Sequence, residues 1–136
     1  MPATFAIQIV TPERLVVETS AEEMQIPGKK GYLGILPGHA PLITELAVGE
    51  ISYRNGGTTA RVAVAWGFAE ILPDKVTILA ETAECAADID VARAERARQR
   101  AEDRLHKPTT ALDVERCQVA LQRAEARLHV AGKKSS

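Results

Sequence analysis

The sequence predicts an α+β protein with its two kinds of element segregated: an N-terminal antiparallel β-sandwich or barrel, then a C-terminal antiparallel α-helical hairpin. Three observations carry this. Before residue 87 short alternating or β-branched runs are separated by turn residues at roughly eight- to twelve-residue intervals, with no helical period. From Asp88 to Ala131 apolar residues recur at steps of three and four. The charge changes at the same place: residues 1–87 hold 6 Lys/Arg and 10 Asp/Glu, a balance of −4, and residues 88–136 hold 11 and 8, a balance of +3. The expected division is a β-domain over 1–86, a hairpin over 87–131 and a flexible tail over 132–136.

The strands follow in order. Phe5, Ile7 and Ile9 alternate with Ala6, Gln8 and Val10, the period of a strand with one buried face. Thr11-Pro12-Glu13 interrupts it, and a β-branched run resumes from Arg14 to Thr19. Glu22 to Pro27 reads as a third strand, stopped by Pro27-Gly28. Asn55-Gly56-Gly57 between Ile51–Arg54 and Thr58–Ala65 is a strong hairpin signal, and Pro73-Asp74 separates Glu70–Leu72 from Val76–Ala80.

In the hairpin, Val91, Ala94, Ala97, Ala101 and Leu105 form one seam, and Val114, Cys117, Leu121, Ala124, Leu128 and Ala131 the other. Pro108 cannot continue a helix, and Thr109 or Thr110 can cap the next, with Asp113 as a third-position partner. A turn this short makes the helices antiparallel. Both seams are mostly alanine, and a buried methyl contributes about 0.8 kcal/mol against about 1.5–3 for a leucine side chain. Such a hairpin is expected to be held weakly enough to detach or open.

Composition narrows the function. At 136 residues the chain is one ordinary domain or two small ones, with 46% hydrophobic residues but one Trp, two Phe and two Tyr. No apolar run approaches the roughly 18–20 residues of a membrane span, and the start lacks an export pattern. Cys85 and Cys117 have neither CxxC nor Cys/His ligand spacing and read as reduced thiols. A phosphate loop, a metal-ligand cluster and a nucleophile with a plausible base are all missing from the sequence, so an enzyme is the least supported class. The alternating acids also argue against a nucleic-acid binder.

One connection stands out. Gly31-Tyr32-Leu33-Gly34-Ile35-Leu36-Pro37-Gly38-His39-Ala40-Pro41-Leu42 combines three glycines and two prolines with unusually apolar contents, so it either tucks into the core or presents a contact patch. His39 has no Ser, Cys or acid placed by sequence to work with it and reads as a structural or interface histidine. This stretch resembles the Gly-x-Leu-Gly-Ile-Leu-Pro-Gly-His-Ala-Pro-Leu signature of the epsilon subunit of F-type ATP synthases. Gly49-Glu50-Ile51, Ala65-Trp66-Gly67-Phe68-Ala69-Glu70 and the hairpin after Asp88 support the resemblance, which covers Thr4 to about Ala131. One departure is Tyr32, where many relatives carry an acid.

The resemblance implies a central-stalk subunit without catalysis of its own, peripheral on the cytoplasmic face of the cell inner membrane. Its β-sandwich would pack on the gamma subunit and rest on the c-subunit ring, so that proton-driven rotation reaches the catalytic head. Tyr32, Leu33, Gly34, Ile35, Leu36, Pro37, Gly38 and His39 would carry part of the gamma and c-ring contact, with His39 facing gamma.

The hairpin also carries arginines in rows. At 100° per residue Arg93, Arg96, Arg100 and Arg104 fall within about 80°, and Arg116, Arg123 and Arg127 within about 40°, each row beside a seam. Closed on each other, the rows could hold an anion such as a nucleotide phosphate. The plainer alternative is a solvated face with helix-spaced pairs, Asp90 with Arg93, Arg98 with Glu102, Arg100 with Asp103 and Asp113 with Arg116, and spacing alone favours it. The family resemblance moves the weight. Ile89-Asp90-Val91-Ala92-Arg93-Ala94 is similar to the Ile/Leu-Asp-x-x-Arg-Ala motif of members whose folded hairpin binds ATP. By that resemblance Glu84, Asp90, Arg93, Ala94, Arg100, Arg123 and Arg127 would be ATP contacts. No cofactor would be required; ATP, as MgATP, would be a regulatory ligand holding the hairpin down. On release the hairpin would extend along gamma toward the alpha and beta subunits and block hydrolysis. The alternative is a free-standing nucleotide-sensing module with no motor.

Overall fold

The computed structural model describes residues 4–107 and 110–132. Eight strands come first: β1 (Phe5–Val10), β2 (Leu15–Ala21), β3 (Glu23–Gly28), β4 (Gly31–Ile35), β5 (Leu42–Leu46), β6 (Gly49–Asn55), β7 (Thr58–Ile71) and β8 (Lys75–Cys85). A single 3-10 turn, Ala86–Asp88, leads into α1 (Val91–Leu105) and α2 (Ala111–Gly132). The expected β-sandwich followed by a helical hairpin is what the chain forms, and the hairpin is folded against the sandwich. One ladder departs from the antiparallel rule: β1 runs parallel to β8, from Ala6↔Lys75 to Val10↔Leu79.

The strands follow one hydrogen-bonded path, β2-β1-β8-β7-β5-β3-β4, with β6 bridging β3 and β7. β7 is the element on which both layers turn. Its first half pairs with β6 from Asn55↔Thr58 to Gly49↔Val64, and its second half with β5 from Leu46↔Gly67 to Leu42↔Ile71. Between the halves Trp66 (φ 49°) and Gly67 (φ 128°) break the pleat. A side chain at Gly67 would put its Cβ 1.8 Å from the Leu79 carbonyl oxygen, so only glycine lets β7 lie this close to β8 here. The fully buried Ile7, Ile9, Met24, Ile26, Ile51, Ile71 and Ile78 lie between the layers. This is the aliphatic core that alternation in β1 and β8 foreshadows.

Several expectations need correction. Residues 31–42 are not one connection: Gly31–Ile35 is strand β4, zipped to β3 from Gly28↔Gly31 to Met24↔Ile35, and only 36–41 is a turn. The glycines that suggest a loop instead suit an edge strand lacking a second neighbour. The run Thr58–Ala65 and the first two residues of the run Glu70–Leu72 belong to the single strand β7, which ends at Ile71, because the Trp66-Gly67 kink bends the strand without ending it. Leu42–Leu46 is a strand that its short polar-interrupted pattern conceals.

In the hairpin Ala94, Ala101, Cys117, Ala124 and Ala131 are buried as expected, but Val91 is 40% exposed. Val130, outside both predicted seams, is fully buried with Ala63, Ala86, Ile89 and Ala131 in a cluster separate from the main core. Helix α2 thus serves two faces, one toward α1 and one toward β7. Thr110 caps α2, its hydroxyl accepting from the Asp113 N–H at 3.0 Å. The other candidates at this turn, Pro108 and Thr109, and tail residues 133–136 lie outside the described residues.

Candidate functional site

Two surfaces of the sandwich and one junction with the hairpin hold the candidate residues. The first surface is the tip made by β4 and the turn after it. Tyr32 and Leu36 are each 59% exposed, and the Tyr32 hydroxyl accepts from the Glu50 N–H at 3.0 Å, which ties β4 to the start of β6. The Gly38 N–H donates to the Pro73 carbonyl at 2.7 Å and the His39 N–H to the Leu36 carbonyl at 3.1 Å, so the turn is braced on the β7–β8 connection. His39 Nδ1 lies 2.8 Å from the Ala40 carbonyl oxygen, a local bond that holds the ring in place. Ile35 is 1% exposed. It anchors the tip from inside and presents nothing outward, whereas Leu33, Pro37 and His39 are half-buried.

The second surface escaped sequence analysis. Strand register sets Glu45 beside Phe68, Phe68 beside Leu79, Leu79 beside Val10 and Val10 beside Leu15, one row across five strands. Leu15, Phe68 and Leu79 are 47%, 54% and 55% exposed, and Ile43, next along β5, is 70% exposed. A shallow groove of about 630 Å³ runs beside the row, with Trp66 and Pro12 on its walls. Glu45 and Glu81 stand at its margins, each beside a cation of this chain, Lys29 at 3.0 Å and Arg123 at 4.0 Å, so the patch is apolar with a charge-balanced rim. The Phe68-x-Glu70 alternation hinted at an outward apolar residue; the row exists only once five strands are in register.

The junction brings together some predicted contacts and scatters others. Arg127 Nε pairs with Glu84 Oε1 at 2.5 Å, and Arg123 lies over the Trp66 ring at 4.5 Å with its Nη2 4.0 Å from Glu81. Glu84, Arg123 and Arg127 therefore converge where β8 meets α2. Asp90 accepts the Arg93 N–H at 3.0 Å as the α1 cap, and Ala94 is 1% exposed in the helix seam. Ile89 is buried under Val130. Ile89, Asp90 and Ala94 of the Ile-Asp-x-x-Arg-Ala motif thus have a local structural use, and the Arg93 side chain is exposed. Arg100 sits further along α1, facing Arg116 across the helices.

The expected helix-spaced ion pairs form only in part. Arg98 reaches Glu95 at 2.8 Å and Glu102 at 3.8 Å, but Asp103 accepts from Gln99 instead of Arg100, and Asp113 reaches across to Arg104 at 3.5 Å instead of along to Arg116. Cross-helix proximity wins because the alanine seam brings the two backbones close. Behind the junction, a cleft of about 440 Å³ separates α2 from the sandwich; there Glu50 stands 3.6 Å from Arg61 Nε and 3.6 Å from His129 Nε2. Cys85, at the end of β8, has its thiol pKa raised, first by burial and then by the Asp88 charge.

The matches to known proteins follow the same division. Residues 4–86 match the beta-sandwich domain of the ATP synthase Delta/Epsilon chain, and residues 87–132 its long alpha-helix domain. The chain belongs to the ATP synthase delta/epsilon family. Among its relatives, the ATP synthase epsilon chain of Koribacter versatilis is 69% identical over 105 residues, 77% of this chain and 74% of the relative. The epsilon chain of Pelotomaculum thermopropionicum is 50% identical over 106 residues, 78% and 79% of the two. A chain in the Euglena gracilis mitochondrial ATP synthase, solved with its OSCP, F1 and c-ring, shares the fold with a TM-score of 0.81 at 22% identity, over 96% of this chain and 82% of that one. A chain of the Tetrahymena thermophila central stalk and c-ring gives 0.59 at 11% identity, over 95% and 94%. Among the described residues no helix is long and apolar enough to cross a membrane.

Proposed function

We propose that the chain is the non-catalytic epsilon subunit of the central stalk of a proton-driven rotary ATP synthase, seated between gamma and the c-subunit ring on the cytoplasmic membrane face. The single observation that carries this is the apolar row Phe68-Leu79-Val10-Leu15 on a continuous sheet, which fits a partner with an apolar strip. Gamma is the partner for that row and for His39. The tip at Tyr32 and Leu36 meets the c ring. Torque passes between them because β4, β3, β6 and β7 are joined by continuous ladders and do not bend independently.

The test is co-purification of the chain with gamma. Phe68→Glu and Leu79→Glu should each abolish it while leaving the thermal unfolding of the isolated chain unchanged. Retained association in both variants would defeat the proposed docking face.

The hairpin reading is regulatory. ATP bridges α1 and α2 through Arg93, Arg100, Arg123 and Arg127, with Glu84, Asp90 and Ala94 alongside, and holds the hairpin down; without it the hairpin extends toward the alpha and beta subunits and stops hydrolysis. Convergence of Glu84, Arg123 and Arg127 supports this reading. MgATP titration of the isolated chain, repeated with Arg93→Ala and Arg127→Ala, should give a saturable signal that both variants weaken. A flat titration at millimolar nucleotide would remove the ligand and leave the stalk role standing.

A further inference from the structure

Glu50 joins the tip of the sandwich to the helical hairpin. Its N–H donates to the Tyr32 hydroxyl at 3.0 Å, and glycine at position 49 makes room for that bond, since a Cβ there would stand 2.8 Å from the same oxygen and 2.8 Å from Pro27 Cβ. The Glu50 side chain is 14% exposed and lines the cleft under α2. Arg61 Nε lies 3.6 Å from Oε1, while Oε2 is buried with no hydrogen-bond partner among the described residues. A buried carboxylate oxygen left in that state is costly. His129 Nε2, on α2, is 3.6 Å from Oε2, inside ion-pair range but too far for a hydrogen bond.

The charges around His129 come from four elements. The turn after β3 contributes Lys29, β6 Glu50 and β7 Arg61, and α2 itself contributes Glu125, one turn earlier on the same face. Lys29 is already held by Glu45 at 3.0 Å. With that pair included, three carboxylates (Glu45, Glu50, Glu125) meet two cations (Lys29, Arg61). His129 also stands in the last turn of α2, where the helix end adds a partial negative charge. One proton on the imidazole completes the balance.

We propose that Glu50 and His129 form a proton-operated latch between β6 and α2: protonated His129 closes onto the orphaned Glu50 oxygen and fastens the hairpin, and neutral His129 lets it open. Tyr32 is a positioning residue, because its hydroxyl holds the Glu50 backbone beside the cleft. The imidazolium meets Glu50 only in the docked hairpin, so the docked chain binds that proton more readily than the open one. Docking therefore strengthens as pH falls through the ordinary imidazole range, about 6.5, and weakens above it. The latch acts without nucleotide and without a partner subunit.

The test is amide exchange of the full chain in nucleotide-free buffer at about pH 5.5 and about pH 8, either side of the imidazole range. Exchange is read as protection relative to the strand core, so that intrinsic rates cancel. Protection of residues 122–131 in the wild type should be about three- to five-fold higher at the acid value, the size of a partly exposed ion pair. Glu50→Gln and His129→Gln should each remove that ratio, and the double variant should remove no more. His129→Lys should keep the higher protection at both pH values, which an imidazole acting through packing alone would not predict. Tyr32→Phe should reduce the ratio, and Arg127→Ala should lower protection equally at both values and leave the ratio intact. A wild-type ratio of one, or a ratio that survives Glu50→Gln, overturns the latch.

Discussion

Replacing Gly67 by alanine tests how the sandwich positions Trp66 beneath the hairpin. The backbone at Gly67 has φ 128°, where an L residue costs about 1–3 kcal/mol. The new Cβ would also sit 1.8 Å from the Leu79 carbonyl oxygen and 2.9 Å from the Ala80 Cα. Both are backbone atoms, so β7 and β8 must separate, and each ladder bond lost costs a further ~0.5–1.5 kcal/mol. The expected total is about 2–5 kcal/mol, a large share of the roughly 5–15 kcal/mol that holds a typical domain together. For a chain of this size that lowers the melting temperature by roughly 10–20 °C. Gly34→Ala is the control, because no atom lies within 4 Å of the position its Cβ would take. Its effect should stay within about 0.5 kcal/mol. Urea unfolding followed by far-UV circular dichroism, with Trp66 fluorescence as the local signal, measures both. A Gly67→Ala variant within about 1 kcal/mol of wild type, or a Gly34→Ala variant equally damaged, would refute the close approach of β7 to β8 as the reason for glycine here.

Three further outcomes follow from other contacts. Val130→Asp places a carboxylate in the fully buried cluster with Ala63, Ala86 and Ile89, and should undock α2 from the sandwich, seen as a shift in Trp66 emission; unchanged emission would show that this cluster does not hold the helix. Thr110→Ala removes the acceptor for the Asp113 N–H and should lower stability by about 1 kcal/mol, with fraying at the start of α2 by amide exchange; no change in either would mean the cap is idle. Burial raises the Tyr53 and Cys85 pKa values, with Cys85 adding to Tyr53 and Asp88 to Cys85. In the unfolded chain both groups ionise earlier as pH rises. Their stability contribution is therefore complete below the ordinary thiol range and declines as pH climbs through the raised range. Urea midpoints from neutral to strongly alkaline pH should fall, less steeply in Cys85→Ser; identical slopes would remove Cys85 from the account.

Local chemistry was enough to read much of this chain. Alternation at Phe5, Ile7 and Ile9, the Asn55-Gly56-Gly57 turn and the alanine steps of the two helices each announce an element, because those patterns are set by neighbours a few residues away. The twelve-residue tip signature and the Asp90-Arg93 spacing pointed to the family for the same reason. Strand β4 and the continuity of β7 were hidden. Glycine signals a turn locally, and only the partner strand decides whether Gly31, Gly34 and Gly67 lie in a ladder.

Tertiary structure alone decided the rest. The row from Phe68 to Leu15 joins residues more than fifty positions apart, and its register is fixed by pairing across β7, β8, β1 and β2. The second face of α2 exists because Val130 meets Ala63 and Ile89. Arg123 and Arg127 find carboxylates because Glu81 and Glu84 of β8 reach the base of the hairpin. Sequence determined the periods and turns, which depend on a few consecutive residues. Which faces meet, and which charges find partners, depends on distances that no local period encodes.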